Sequence, residues 1–129
     1  MTFKDTIADD TFRRDRKTIF CDIDGTIFAH GKNLSTMVTN KPKLLPGVLD
    51  KFLEWRSKDY YIVITTARPE GCRNITIKQL NEHGLFYDQL IMGLPVGPRV
   101  VINDMKPDGF ITSFAVSLNR DEGLTNVEV

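Results

Sequence analysis

Ile19-Phe20-Cys21-Asp22-Ile23-Asp24-Gly25-Thr26-Ile27 sets two carboxylates at the end of a short apolar run, with a glycine and a hydroxyl directly behind them. The β-branched and aromatic residues 18–21, bounded upstream by charge, read as a buried strand. Asp22 and Asp24 leave that strand at its carboxyl end, where open α/β sheets bind ligands. Aspartate and glycine both resist continuing a strand, so the chain must turn there. Two acids this close repel each other and are costly to desolvate unless a cation or a proton joins them. A plain strand-end turn gains nothing from that cost. An acidic, cation-dependent site does.

Working outward, the next 18 or so residues, 28–45, form a polar stretch rich in Thr, Asn and Lys with no sustained period, ending at the turn signal Pro46-Gly47. Val48, Leu49, Phe52, Leu53 and Trp55 then make an apolar stripe at helical spacing as far as Lys58. Residues 60–65 are a near-continuous β-branched and aromatic run, a second buried strand. Residues 70–83 predict a helix with Ile75, Ile77 and Leu80 inward, closed by His83-Gly84. Short strands are expected at 89–92, 100–102 and 114–118. Strands alternating with helices argue for an α/β fold: a three-layer, doubly wound, mostly parallel five-stranded sheet of Rossmann-like type.

A chain of 129 residues makes one domain with a single core. Its expected parts are a polar N-terminal segment, 1–17, and the 28–45 insert. Seventeen acidic and seventeen basic residues cancel, so no overall field favours nucleic acid or a membrane surface. No apolar stretch approaches the ~20 residues that span a bilayer, and residues 1–10 lack the apolar core of a secretion signal. The expected location is cytoplasmic. Cys21 and Cys72 have no metal-ligand spacing, and Cys21 is expected to pack as a small hydrophobe.

Two further strand ends carry chemistry. Residues 60–64 run into Thr65-Thr66-Ala67-Arg68-Pro69, a hydroxyl and a guanidinium just before a helix amino terminus, a combination that suits a phosphate. On its own this segment would read as an ordinary N-cap loop. The strand at 100–102 ends in Asn103-Asp104-Met105-Lys106-Pro107-Asp108, and an acid there can meet Asp22 and Asp24 to complete an oxygen-rich site of the kind Mg²⁺ prefers.

Asp22-x-Asp24-Gly25-Thr26 behind an apolar strand, Thr66 closing the second strand and Asp104 behind a later one together resemble the motifs of the haloacid dehalogenase-like (HAD) superfamily, most of whose members are Mg²⁺-dependent phosphatases. The resemblance implies Asp22 as nucleophile, forming a phosphoaspartyl intermediate, and Asp24 as general acid–base. It implies Mg²⁺ bound by Asp22, the Asp24 backbone carbonyl and Asp104, and phosphate bound by Thr66 and Arg68. Asp108, four residues beyond Asp104, is either a partner of the metal ligands or an exposed turn residue. The family's usual lysine from a helix between strands three and four has no counterpart, because only residues 93–99 connect them. Lys106 is the preferred substitute, over Arg73 and over Arg99, which should lie at the sheet end away from the acids.

No cap domain fits in the chain. Residues 28–45 make a flap at most, with Phe28, His30, Lys32 and Asn33 nearest the substrate. His30 and His83 otherwise read as ordinary structural histidines. The expectation is a capless phosphomonoesterase acting on a sugar phosphate or similar small phosphometabolite, with its site open or closed by a homo-oligomer. Two alternatives stand beside it: a phosphatase of nucleic-acid or nucleotide terminal phosphates, and a non-catalytic HAD-like or receiver-like phosphate-binding module. Neutral net charge favours the small substrate over nucleic acid.

Overall fold

The apolar run that opens the chain's first motif forms strand β1, Thr18–Asp22. A computed structural model describes residues 14–39 and 41–129, so most of the expected 1–17 segment lies outside the described residues. Strand β2, Tyr61–Thr65, is the central strand, and β3, Gln89–Ile91, completes a parallel sheet in the order β1-β2-β3. The register aligns Asp22 with Thr65, and Thr65 with Ile91. All three strands therefore end along one row, and everything that follows β1 and β2 in sequence emerges on one rim of the sheet.

Helix α1, Leu34–Thr39, lies inside the 28–45 insert, and helix α2, Val48–Ser57, follows it. Gly47 precedes α2 with φ +75°, and the backbone of Thr125 lies so close that a side chain at this position would collide with it. Val48, Phe52 and Trp55 of α2 enter a core with Cys21, Ile23, Ile62 and Ile64. Each such side chain contributes about 1.5–3 kcal/mol by leaving water. Cys21 is the small hydrophobe expected, its thiol pushed up to about 12 by burial and by the neighbouring Asp22 charge. After β2, a 3₁₀ turn at Glu70–Cys72 leads into helix α3, Arg73–Glu82. The carboxyl end of the chain returns to the core through Leu124 and Val127, with Leu124 N–H donating to Pro46 O at 2.8 Å.

Three of the five expected strands form. Neither 100–102 nor 114–118 is a strand, and Val100, Val101, Ile102 and Phe114 are exposed. The connection from β3 is too short for the crossover of a dozen or more residues that a parallel neighbour requires. Arg99 folds it back further, donating to Pro95 O at 3.3 Å and Gly97 O at 3.0 Å. Pro95 and Pro98 have no N–H to offer a ladder. Residues 95–118 become an arm that doubles back at Lys106-Pro107-Asp108-Gly109, where Gly109 N–H donates to Lys106 O and Lys106 N–H to Phe110 O.

The buried face of α3 also differs from expectation. Thr76, Gln79 and Leu80 are buried, while Ile75 and Ile77 are only half-buried. The reason is a guanidinium beneath that face.

Candidate active site

The turn after β1 is closed by its own backbone. The N–H groups of Thr26, Ile27 and Phe28 all donate to Ile23 O, at 3.1, 2.8 and 3.1 Å, and Gly25 N–H donates to Phe28 O at 2.7 Å. Gly25 has φ +91°, a conformation that L side chains rarely adopt. Asp121 N–H donates to Gly25 O at 2.9 Å, and its carboxylate accepts from His30 N–H at 2.8 Å, so the returning chain fastens both ends of the turn. Asp22 and Asp24 are thus held by a rigid loop.

The two carboxylates have different surroundings. Asp24 is clamped by Arg68, whose Nε–H donates to Oδ2 at 2.9 Å and whose Nη2–H donates to Oδ1 at 2.8 Å. Arg68 is itself 2% exposed and uses Nη1 to reach Thr76 Oγ1 at 3.0 Å and Gln79 Oε1 at 2.6 Å. Four of the five guanidinium donors are thereby engaged. This is why the inner face of α3 is polar. Sequence reading pointed Arg68 at substrate phosphate, whereas the structure turns it onto Asp24. A single Arg after a strand does not reveal whether its fork meets a substrate or a neighbouring carboxylate.

Asp22 has no such clamp. Its Oδ2 accepts from the Thr26 hydroxyl at 3.4 Å. Burial holds its carboxyl above the ordinary carboxylate value and the Asp24 charge adds to the rise, while Ile23 N–H, Arg99 and Thr26 pull against it. Arg99 is therefore at the Asp22 end of the sheet, not at the far end as expected. The displacement follows from the missing fourth strand: the folded connection never carries Arg99 away from the rim. Of the other basic candidates, Arg73 is committed to Glu70 by two 2.8 Å bonds and to Leu90 O. Lys106 lies in the arm, 4.0 Å from Asp104.

Thr66 is buried at the end of β2. Its hydroxyl accepts from Arg68 N–H at 3.1 Å, and its own N–H donates to Ile91 O at 2.9 Å. It stands on the same rim as Asp22 and holds the start of the Arg68 loop. Asp104 is exposed in the arm. Its backbone N–H donates to Asn103 Oδ1, its carbonyl accepts from the Thr112 hydroxyl, and its side chain faces Lys106. Asp108 pairs with Arg14 at 2.8 Å, which lowers its carboxyl below the usual value. Among the described residues no three His, Cys, Asp or Glu side chains gather into a group able to hold a metal. The structure brings Asp22, Asp24, Thr66 and Arg68 together, and leaves Asp104 and Lys106 as a separate pair.

Beside Asp24 and Arg68 lies a cavity of about 180 Å³, lined also by Phe28, Thr36, Met37, Lys41 and Lys43. The insert forms one wall, as a flap would. Of the flap residues expected nearest the substrate, Phe28 lines this cavity, but His30, Lys32 and Asn33 do not. Lys41 and Lys43 were not singled out in sequence reading. No periodicity marks them, and only the insert's return path brings them here.

The described residues form an α/β domain with a parallel sheet and two aspartates on its carboxyl rim. No family model matches the chain, and no curated protein matches it. The structure is similar to that of D,D-heptose 1,7-bisphosphate phosphatase from B. bronchiseptica, crystallised with magnesium and phosphate. That similarity has 22% identity and a TM-score of 0.45, and covers 64% of this chain and 51% of that one. It is also similar to a target protein from Vibrio cholerae, with 21% identity and a TM-score of 0.47, over 75% of this chain and 79% of that one. The chain spans about half the length of the heptose bisphosphate phosphatase. No helix among the described residues is long and apolar enough to cross a membrane.

Proposed function

We propose that this chain is a phosphomonoester hydrolase in which Asp22 attacks phosphorus to form a phosphoaspartyl intermediate. The observation that carries the reading is the unequal treatment of two carboxylates on one turn: Asp24 is clamped and Asp22 is presented. Sites that use two carboxylates in two roles separate them by environment in this way. Asp22 has only one weak hydrogen bond to a side chain, so its oxygens are available for attack. Arg99, acting on Asp22 across the rim, reduces the repulsion between a carboxylate and an anionic phosphate. Arg68 fixes the Asp24 carboxylate while leaving each oxygen a second lone pair, suited to taking a proton from the water that hydrolyses the acyl phosphate. Thr66 supplies a rim hydroxyl for a phosphate oxygen.

The donor set fits a hard divalent cation. The Asp22 carboxyl is short of positive charge, and the Asp24 carbonyl adjoins it on the same turn. Both are oxygen donors of the kind Mg²⁺ takes alongside several waters. Mg²⁺ held there would neutralise charge between Asp22 and the phosphate. Asp104 would join only if the arm brings it to the rim.

The ~180 Å³ cavity with Lys41 and Lys43 on its wall suits a small anionic substrate, such as a sugar phosphate. A cytoplasmic setting belongs to the same reading, supported by the two free cysteines. The test is hydrolysis of p-nitrophenyl phosphate with and without Mg²⁺, by the natural chain and by Asp22→Asn. Turnover should require Mg²⁺ and fall by about 10³-fold or more in the variant. Normal turnover by Asp22→Asn would end the covalent mechanism.

A further inference from the structure

Helix α1 carries no buried residue, yet it walls the cavity beside Asp24 through Thr36 and Met37. A helix this short does not hold itself in water. Most of its hydrogen bonds stay inside the insert. The Thr36 N–H and hydroxyl both donate to Asn33 Oδ1, at 2.9 and 3.1 Å, Met37 N–H donates to Asn33 O at 3.1 Å, and the Thr39 hydroxyl donates to Ser35 O. The insert is paired at its base, where Ala29 N–H donates to Lys43 O and Leu45 N–H to Ile27 O, both at 2.9 Å. Among the described residues one hydrogen bond joins α1 to the rest of the domain. It comes from Gln79 of α3, whose Nε2–H donates to Met37 O at 3.1 Å.

The other end of the same amide is also engaged. Gln79 Oε1 accepts from Arg68 Nη1 at 2.6 Å, and the residue is 3% exposed. A guanidinium only donates and a carbonyl only accepts, so the two partners fix which way the amide faces. Glutamine serves both. An ionised glutamate has no N–H to give, and leucine has neither group. The backbone of Gln79 reaches the cavity by a second route. Its carbonyl accepts from His83 Nδ1 at 2.8 Å, and the His83 ring packs on Phe28, another lining residue, with centroids 4.9 Å apart.

We infer that Gln79 is a positioning residue that fastens the flap to the Arg68 fork, so that the Asp24 carboxylate and the cavity wall beside it are set as one unit. The wall is in place before a substrate arrives, which lowers the ordering cost of binding. The consequence for turnover rests on the phosphatase reading; the fastening of the flap does not.

Trypsin and turnover, both measured on the full chain, test it together. Gln79→Glu keeps the acceptor for Arg68 and loses the donor for Met37 O, whereas Gln79→Leu loses both. Cleavage after Lys32 and Lys43, which flank α1, should quicken about 5-fold in each variant relative to cleavage after Arg56, because trypsin reads the population of the opened flap. For p-nitrophenyl phosphate, KM should rise about 5-fold in Gln79→Glu with a smaller fall in kcat. Inhibition by inorganic phosphate, which needs no flap, should keep its Ki within about 2-fold. Gln79→Leu should lower kcat as well, since Arg68 then has one acceptor fewer. Cleavage after Lys32 and Lys43 at the natural rate in both variants overturns the inference. Cleavage that quickens equally along the whole chain, the mark of a generally loosened fold, overturns it too. Quickened cleavage with an unchanged KM overturns the link between flap and substrate. If the natural chain hydrolyses nothing, the phosphatase reading fails, and the trypsin result still decides whether Gln79 fastens the flap.

Discussion

The turn at residues 22–28 and the arm at residues 95–118 are both built largely without regular secondary structure, yet they differ in how many of their groups are partnered. In the turn, successive N–H groups converge on Ile23 O and the returning chain fastens Gly25 and His30. Ile23, Ile27 and Phe28 are fully buried beneath it. In the arm, the apolar side chains are exposed and, among the described residues, few backbone groups are paired. The difference shows what makes an irregular segment rigid: a buried anchor below it and a partner for each polar group. Chemistry that needs a fixed oxygen belongs on the first kind.

The largest stability effect should come from removing the clamp beneath the turn. Arg68→Met leaves the Asp24 carboxylate and the buried Thr76 and Gln79 groups without their partner, and should cost about 3–5 kcal/mol, measured by urea denaturation. A loss below ~1 kcal/mol would mean that the pair does not organise the turn. Gly25→Ala should cost about 1–2 kcal/mol, since φ +91° strains an L residue and its Cβ would stand 3.3 Å from Arg120 Cγ. Turnover should fall further than stability if the turn positions Asp22.

Asp104→Asn sharpens the comparison from the other side. With Asp104 exposed beside Lys106, its removal should leave the Mg²⁺ titration and the melting temperature of the chain nearly unchanged. A raised Mg²⁺ requirement would show that the arm delivers Asp104 to the rim.

The smallest effect concerns pH. The Asp22 carboxyl is raised in the folded chain, chiefly by burial, so the stability linked to its proton is present at low pH and is lost as pH rises through the folded value. Asp22→Asn should therefore be more stable than the natural chain at neutral pH, with the gain vanishing in acid, as read by urea denaturation across a pH series.

Strands β1, β2 and β3 and helices α2 and α3 were legible in the sequence because each carries its own local pattern, and the aspartate pair was legible because glycine and charge end a strand together. The strands expected at 100–102 and 114–118 have equally good local patterns, yet no ladder forms. A β-branched run states a preference, whereas a strand needs a partner edge that the connection can reach. The misplacement of Arg99 has the same origin. Arg68 stood out in the sequence but its contacts did not, since Asp24, Thr76 and Gln79 come together only in the folded chain.

The account rests on the Asp22 oxygen being the atom that takes the phosphoryl group. Rapid mixing of the natural chain with a radiolabelled aryl phosphate and Mg²⁺, followed by acid quench and peptide mapping, tests this directly. The account predicts acid-stable label on the peptide containing Asp22, absent from Asp22→Asn. Turnover with label on another residue, or with none on the protein in a burst-phase experiment, would contradict it.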